Sequence, residues 1–275
     1  MRLLKSGQGG INIFQTKKYI GHVDHEYLQI LAANIKSLKE RSYELMHIQN
    51  GHTVLDVGCG PGIDTIPLAQ FVGSAGQVIG IDIDNNMVDL ANKMAVEKKV
   101  ANWVVHKHFD AEYIPYSSDY FDSCRCERLL QHLLHPERTI SEMVRVTKPD
   151  GWIVVCDTDH STLTIDSPDV DIEWKLRRFH TEMFKNGYIG RQLYRLFKQQ
   201  NLADIKIEIF PLFSTDYTLT RYMALLDKSE NEAVIAGIIT DEELERWHNN
   251  LERANNDNVF FSCVMMVLIA GHKLC

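Results

Sequence analysis

The sequence lacks paired cysteines, an excess of basic residues and long apolar segments, and each absence argues against a class of protein. Its six cysteines are scattered without a C-x-x-C pair, which fits a reducing intracellular setting better than a disulfide framework. The net charge of −8 disfavours a protein that holds nucleic acid mainly through phosphates. The longest strongly apolar run, 259–271, is too short to cross a bilayer and predicts a buried strand.

Length and composition are those of an ordinary globular protein. The 275 residues are 45% apolar and 24% charged, which suffices for one large domain, or a domain with a cap, and for a core that needs no disulfide or metal. Residues 1–10 include basic side chains but no apolar stretch, so no secretion signal is expected. We therefore expect a cytoplasmic protein, with no membrane insertion and no nucleic-acid partner.

Strand-like and helix-like segments alternate along the chain after a helical pattern at 24–47. The predicted strands are 53–57, 77–81, 103–108, 120–126 and 152–156, and the predicted helices between them are 64–71, 86–98 and 136–146. A helix at 190–200, a strand at 205–210, an acidic helical segment at 227–257 and a strand at 260–270 follow. Such alternation predicts a parallel sheet with helices on both faces, whose ligands bind at the carboxyl ends of the strands.

A glycine loop, VLDVGCGPG at 54–62, lies between the first predicted strand and the next helix. A dinucleotide-binding loop would read G-x-G-x-x-G, whereas here the third glycine, Gly62, comes one place early. Asp56, just before the loop, would repel a pyrophosphate and would suit a positively charged ligand. S-adenosylmethionine carries a sulfonium and an ammonium group and no phosphate. The loop therefore favours that cofactor over a nicotinamide dinucleotide.

A second acidic residue, Asp82, ends the second predicted strand, 26 residues after Asp56. A carboxylate in this place can accept hydrogen bonds from both hydroxyls of a ribose. Asp82 alone does not distinguish the two cofactors, because both contain a ribose. Asp56 and the glycine spacing make that distinction.

Together these motifs resemble the class I S-adenosylmethionine-dependent methyltransferases, most closely the ubiquinone/menaquinone-biosynthesis-like and small-molecule group. The similarity extends from VLDVGCGPG and VIGIDID to FDAEYIPY at 109–116 and EMVRVTKPDGW at 142–152. It implies an α/β, Rossmann-like fold: a seven-stranded, mostly parallel sheet with an antiparallel last strand, helices on both faces and a helical cap. We expect a cap segment at 1–50 and a methyltransferase domain at 51–275, with cap insertions near 158–188 and 213–257.

The resemblance also implies which residues bind S-adenosylmethionine. These are Asp56, Gly58, Cys59, Gly60, Asp82, Ile83, Asp110, Ala111 and Cys126. The loop residues would line the methionine part, Asp82 would hold the ribose, and Ile83 would pack on the adenine. Asp110 would accept from the adenine amino group beside the backbone N–H of Ala111, and Cys126 would face the cofactor near its sulfur. Taken alone, Asp110 reads as a turn or capping residue.

Methyl transfer needs little from the protein beyond alignment and exclusion of water, because the sulfonium is an excellent leaving group. A general base is needed only if the acceptor arrives protonated, and the candidate catalytic residues are His132 and His160. The alternatives are a hydrogen-bonded structural role for His132 and an exposed loop position for His160. Glu127, Asp157 and Asp159 are further candidates. No set of metal ligands is identifiable.

The function that these observations favour is S-adenosylmethionine-dependent transfer of a methyl group, by in-line displacement, to oxygen, carbon or nitrogen of a small-molecule acceptor. One alternative is a nicotinamide-dependent oxidoreductase, which Asp56 and the loop spacing disfavour. The other is a non-catalytic S-adenosylmethionine-binding module, which the complete set of cofactor motifs disfavours.

Overall fold

Seven strands form a single sheet in the computed structural model, which describes residues 25–274. The strands are β1 (Thr53–Val57), β2 (Gln77–Asp82), β3 (Val104–His108), β4 (Phe121–Glu127), β5 (Thr147–Ile165), β6 (Ala203–Ser214) and β7 (Ser262–His272). Their order is β3-β2-β1-β4-β5-β7-β6. The first five run parallel, whereas β7 is antiparallel to both β5 and β6. The predicted α/β fold with an antiparallel last strand is confirmed.

Ten α-helices lie within the same described part of the chain. They are α1 (His25–Asn34), α2 (Lys36–Leu45), α3 (Thr65–Val72), α4 (Asn85–Glu97), α5 (Pro136–Val146), α6 (Val170–Glu182), α7 (Ile189–Gln199), α8 (Tyr217–Met223), α9 (Leu226–Ile235) and α10 (Asp241–Asn256). The predicted part of the N-terminal segment that falls on residues 1–24 lies outside the described residues.

Both faces of the sheet are buried, as expected where helices cover a parallel sheet. Alternate residues of β1 separate accordingly: Leu55 and Val57 face one hydrophobic core, and Val54 faces the other. The first core contains residues of α5 and α7, and the second contains residues of α2 and α3. A third hydrophobic cluster joins α6, α9 and α10 and the end of β5.

Strand β1 lies where the strand order reverses, because β2 pairs with one of its edges and β4 with the other. Asp56 is level with Gly80 of β2 and with Arg125 of β4. In open α/β sheets the crevice at the carboxyl ends of the strands beside such a reversal is the usual ligand site. The glycine loop leaves β1 at that end.

Two segments differ from the sequence-based expectation. The helical pattern at 24–47 is divided at Ile35, which lies between α1 and α2. The fifth strand continues to Ile165, so 158–165 belongs to the sheet and only the later part of the predicted insertion at 158–188 can form a cap. The reason is tertiary, since β5 pairs with β7 from Trp152 to Ile165, with an irregularity after Asp159.

Candidate active site

The glycine loop is anchored to the end of β2 by its own backbone. The N–H groups of Gly58 and Cys59 both donate to the carbonyl of Ile81, at 2.8 and 3.0 Å. Gly58, Gly60 and Gly62 have φ angles of +70°, +52° and +83°, a region that residues other than glycine rarely adopt. The loop therefore requires glycine at these positions and holds its backbone close to the strand ends.

Asp82 connects this loop to the start of α4. One of its carboxylate oxygens accepts from the N–H of Gly60 and the other from the N–H of Asp84, both at 2.9 Å. The next side chain, Ile83, is 55% exposed. An apolar surface thus lies directly beside a carboxylate, as a nucleoside with a ribose and an adenine would require.

The third acidic residue, Asp110, follows β3 at the same carboxyl end of the sheet. The N–H of Phe109 donates to the carbonyl of Asp82 at 3.0 Å, which brings the ends of β2 and β3 together. Asp110 is exposed and accepts from the N–H of Glu112 at 2.8 Å, as a turn-capping residue would, while Ala111 is buried. Asp56 in β1, Asp82 at the end of β2 and Asp110 after β3 therefore lie near the carboxyl ends of three neighbouring strands.

Cys126 packs inside the first hydrophobic core, level with Val57 of β1. Burial raises the pKa of its thiol well above the usual value, so the sulfur stays protonated. Its contact with the cofactor remains a prediction. Arg128, just after β4, lines the neighbouring cavity.

A buried ion cluster lies beneath the glycine loop, and sequence reasoning recognised only Asp56 among its members as a binding residue. Arg125 of β4, 1% exposed at its side chain, contacts Asp56 at 3.2 Å, Asp64 at 3.1 Å and Glu127 at 2.9 Å. Lys39 of α2 contacts Asp64 at 2.8 Å and Glu127 at 2.6 Å. The sequence could have indicated this cluster through Arg125, because a charged residue inside a central strand requires buried partners of opposite charge.

Asp56 faces Arg125 and not open solvent. Burial raises the pKa of Asp56 to about 7, although the Arg125 guanidinium opposes the rise. For Asp64 the nearby charges of Arg125 and Lys39 outweigh burial, and its pKa is lowered. Within residues 25–274 the Oδ2 atom of Asp56 is buried without a hydrogen-bond partner. This orphan acceptor, with the glycine cradle and the Asp82 carboxylate, fits a cationic cofactor that contains a ribose and lacks phosphate.

A cavity of about 280 Å³ lies beside the cofactor motifs, at the carboxyl ends of β4 and β5. It extends between α1, α6, α8 and the strands β6 and β7, and its walls are mostly apolar. Its polar lining includes Arg128, Gln131, His132, His160 and His180. Neither the glycine loop nor Asp82 lines it, so the cavity and the cofactor motifs are adjacent and distinct.

Both candidate catalytic histidines line the cavity, and one amide joins them. The Oε1 atom of Gln131 lies 2.9 Å from Nε2 of His160, and its Nε2 atom lies 3.0 Å from Nε2 of His132. Because an amide offers an acceptor on one side and donors on the other, one imidazole must donate here and the other must accept. His160 belongs to β5 and stacks on Phe184 at 3.6 Å, which excludes an exposed loop position. Burial lowers its pKa well below the usual range, so this imidazole is neutral.

The third histidine of the cavity should make stability depend on pH. Burial lowers the pKa of His180 to about 4, whereas an unfolded histidine titrates near pH 6.5. The folded state therefore resists protonation, and this contribution to stability is complete above pH 6.5 and is lost as the pH falls toward 4. Urea unfolding of the wild type should show a lower free energy of unfolding at pH 5 than at pH 7. In His180→Gln this decrease should be smaller, by up to ~2 kcal/mol.

The exposed His135, replaced in His135→Gln, is the matched control for the loss of one imidazole. An unchanged pH dependence in His180→Gln would show that His180 is not held neutral by its surroundings.

Comparison with known proteins agrees with this geometry. The profile of the methyltransferase domain family matches residues 48–202, more than half of the chain. An uncharacterised 37.1 kDa protein of transposon TN4556 from Streptomyces fradiae is 31% identical over 253 residues, which cover 89% of this chain and 70% of that protein. The demethylmenaquinone methyltransferase of Lactobacillus johnsonii is 30% identical over 137 residues, 50% of this chain and 54% of that enzyme. The chain thus spans about half the length of such quinone methyltransferases.

Solved structures share the fold. The YcgJ protein of Bacillus subtilis superimposes with a TM-score of 0.61 at 20% identity, over 92% of this chain and 100% of that protein. Geranyl diphosphate C-methyltransferase of Streptomyces coelicolor, in complex with S-adenosylhomocysteine, superimposes with a TM-score of 0.55 at 16% identity, over 96% and 95% of the two chains.

The chain belongs to the methyltransferase domain family. It is a class I S-adenosylmethionine-dependent methyltransferase, and its cofactor is S-adenosylmethionine. Among residues 25–274, no helix has the length and apolarity required to span a membrane.

Proposed function

We propose that a small, largely apolar acceptor binds in the 280 Å³ cavity and is methylated there at oxygen, carbon or nitrogen. This proposal depends on the position of the cavity beside the cofactor motifs. The motifs lie at the carboxyl ends of β1, β2 and β3, and the cavity opens at the carboxyl ends of β4 and β5. The likeness to enzymes named ubiquinone/menaquinone biosynthesis C-methyltransferase supports an apolar acceptor and, among the three, carbon.

S-adenosylmethionine supplies the methyl group and a good leaving group when it is bound. The chain supplies binding and orientation. In this proposal Asp56, Gly58, Cys59 and Gly60 hold the methionine part, with the free Oδ2 of Asp56 facing positive charge. Asp82 accepts from the ribose, Ile83 and Ala111 flank the adenine, Asp110 accepts from its amino group, and Cys126 lies behind the sulfur.

His132 and His160 are proposed as the residues that take a proton from an acceptor that arrives protonated. Both imidazoles are held by the Gln131 amide and face the cavity. This network fixes the orientation of both rings, which is the positioning that proton transfer requires. An acceptor that arrives as an anion needs no such step.

We further propose that α1, α6 and α8–α10 form the cap, with residues 1–24 outside the described part of the segment. Helix α1 is tied to α8, because the Tyr27 hydroxyl donates to the carbonyl of Met223 at 2.6 Å and the Tyr27 and Tyr222 rings are in contact. The side chain of Leu28 also lies near Gly60 of the glycine loop. One helix thus covers both the cofactor edge and the cavity and excludes water from the reaction.

Calorimetric titration of the full chain with S-adenosylmethionine, S-adenosylhomocysteine and NADH tests the proposal. We expect micromolar dissociation constants for the first two ligands and no heat for NADH. The variants His132→Gln and His160→Gln should bind S-adenosylhomocysteine within twofold of the wild type, because they line the acceptor cavity. Their transfer of methyl to any acceptor found by screening should fall about 100-fold or more if its nucleophile is protonated.

Binding of NADH alone would refute the assignment of the cofactor edge. Weakened S-adenosylhomocysteine binding in either histidine variant, with the fold intact by circular dichroism, would move that residue from the acceptor side to the cofactor side.

A further inference from the structure

The acceptor cavity contains one formal charge among the described residues that line it, and that charge is Arg128. The remaining polar lining consists of hydroxyls, amides and imidazoles, and burial lowers the pKa of both His160 and His180, which keeps them neutral. No aspartate, glutamate or lysine of residues 25–274 lines the cavity. A cation therefore faces an otherwise uncharged, mostly apolar space.

The guanidinium of Arg128 is mostly buried and has one long ion pair, with Glu127. Its side chain is 16% exposed, and its Nε atom lies 3.6 Å from Glu127, beyond hydrogen-bond distance. Glu127 is already bonded to Lys39 at 2.6 Å and to Arg125 at 2.9 Å. Within residues 25–274 the Nε of Arg128 is buried with no hydrogen-bond partner. The buried ion cluster thus leaves the Nε–H of Arg128 without a hydrogen bond.

The backbone holds Arg128 in this place at a cost. Its φ angle is +52°, in the left-handed region that a long side chain rarely adopts, and its N–H donates to the carbonyl of Cys156 at 2.8 Å. Such outliers persist where the surrounding structure enforces them, and they cluster at ligand sites. A second orphan lies in the same lining: His180 is 3% exposed, and its Nδ1 has no hydrogen-bond partner within the described chain.

A mostly buried guanidinium whose Nε–H makes no hydrogen bond has lost hydration that an anion replaces best. Its planar fork binds two oxygens of a carboxylate or one oxyanion through parallel N–H groups. We infer that the acceptor is an apolar organic anion, a carboxylate, enolate or phenolate, whose oxygen is bound by Arg128. This inference rests on the proposed function of the cavity as the acceptor site. An oxyanion held by Arg128 also arrives deprotonated, which removes the need for a strong base.

Arg128 could instead bind the carboxylate of the methionine part of the cofactor. The structure favours the acceptor as its ligand. Residues 58–62, Asp82 and Asp110 do not line the cavity that Arg128 lines. The distinction is measurable, because loss of Arg128 then affects one ligand and spares the other.

The test is calorimetry on the full chain with two matched pairs of probes, 2-naphthoate with 2-naphthamide and decanoate with decanol, each titrated with and without saturating S-adenosylhomocysteine. We expect the anion of at least one pair to bind about 10- to 100-fold more tightly than its neutral partner. In Arg128→Gln that preference should disappear, while binding of the neutral probe and of S-adenosylhomocysteine stays within twofold. Arg195→Gln, which removes an exposed arginine, should behave as the wild type.

Three results would overturn the inference: equal binding of anion and neutral probe by the wild type, no binding of either anion, or an Arg128→Gln variant that loses S-adenosylhomocysteine and keeps the anion. Failure of the proposed function appears separately, as absent S-adenosylhomocysteine binding by the wild type before any probe is added. Arg128→Lys, which keeps the charge, should retain part of the preference and controls for a folding defect.

Discussion

Asp82→Ala should weaken S-adenosylmethionine binding by about 10- to 100-fold, the expected loss for hydrogen bonds to a charged group. Asp82 is proposed to accept from the ribose hydroxyls, and it also holds the N–H of Gly60 and thereby the glycine loop. Alanine removes both functions. The dissociation constants of S-adenosylmethionine and S-adenosylhomocysteine, measured by calorimetry, should rise together, because both ligands contain the same ribose.

Two companion variants make this result specific. Asp89→Ala removes an exposed carboxylate from the adjacent helix α4 and should leave both dissociation constants within twofold of the wild type. Asp82→Asn keeps an acceptor for Gly60 and should fall between alanine and the wild type. Unchanged cofactor affinity in a folded Asp82→Ala protein would refute the ribose assignment.

Arg125→Met should destabilise the protein by about 3–5 kcal/mol, the usual cost of removing one partner from a buried ion pair. The substitution leaves Asp56, Asp64 and Glu127 buried with Lys39 as the nearest remaining cation. Methionine fills much of the volume, so the loss measures charge and not a cavity. Urea unfolding at pH 7.5 should show a lower midpoint with an unchanged slope.

Raising the pH should enlarge this defect, because Asp56 has a pKa of about 7 with Arg125 present and is ionised above it. Arg125→Lys retains one positive charge and should lose less stability, whereas Arg195→Met tests the same substitution on the surface. A loss below 1 kcal/mol in Arg125→Met would show that the cluster's carboxylates are protonated or solvated in the folded protein.

Local patterns were sufficient to predict the strand–loop–helix units that carry the cofactor motifs. The glycine loop and Asp82 were recognised because a strand, a turn and a helix that follow each other in the chain leave signatures within a few residues. Alternation of such units also predicts a parallel sheet, since a crossover helix between strands allows little else. The predicted sheet of seven strands with its antiparallel last strand is confirmed.

The extent of β5 was not predictable from its own residues. The strand continues beyond Cys156 to Ile165 because β7, more than 95 positions away along much of the pairing, supplies its hydrogen-bonding partner. His160 consequently lies on a strand beside Phe184, and its hydrogen-bond partner is Gln131. None of these contacts leaves a trace in the local sequence around His160.

The class of fold, the cofactor and the strand ends that carry the cofactor motifs could be predicted from the sequence, because each depends on short-range spacing. The packing of separate elements was needed to show that Arg125 and Lys39 contact the buried carboxylates of Asp56 and Asp64, and that Arg128 faces an apolar cavity built from α1, β5, β7 and α8. Burial, ion pairing and the shape of a cavity depend on residues that are far apart along the chain and meet only in the folded protein.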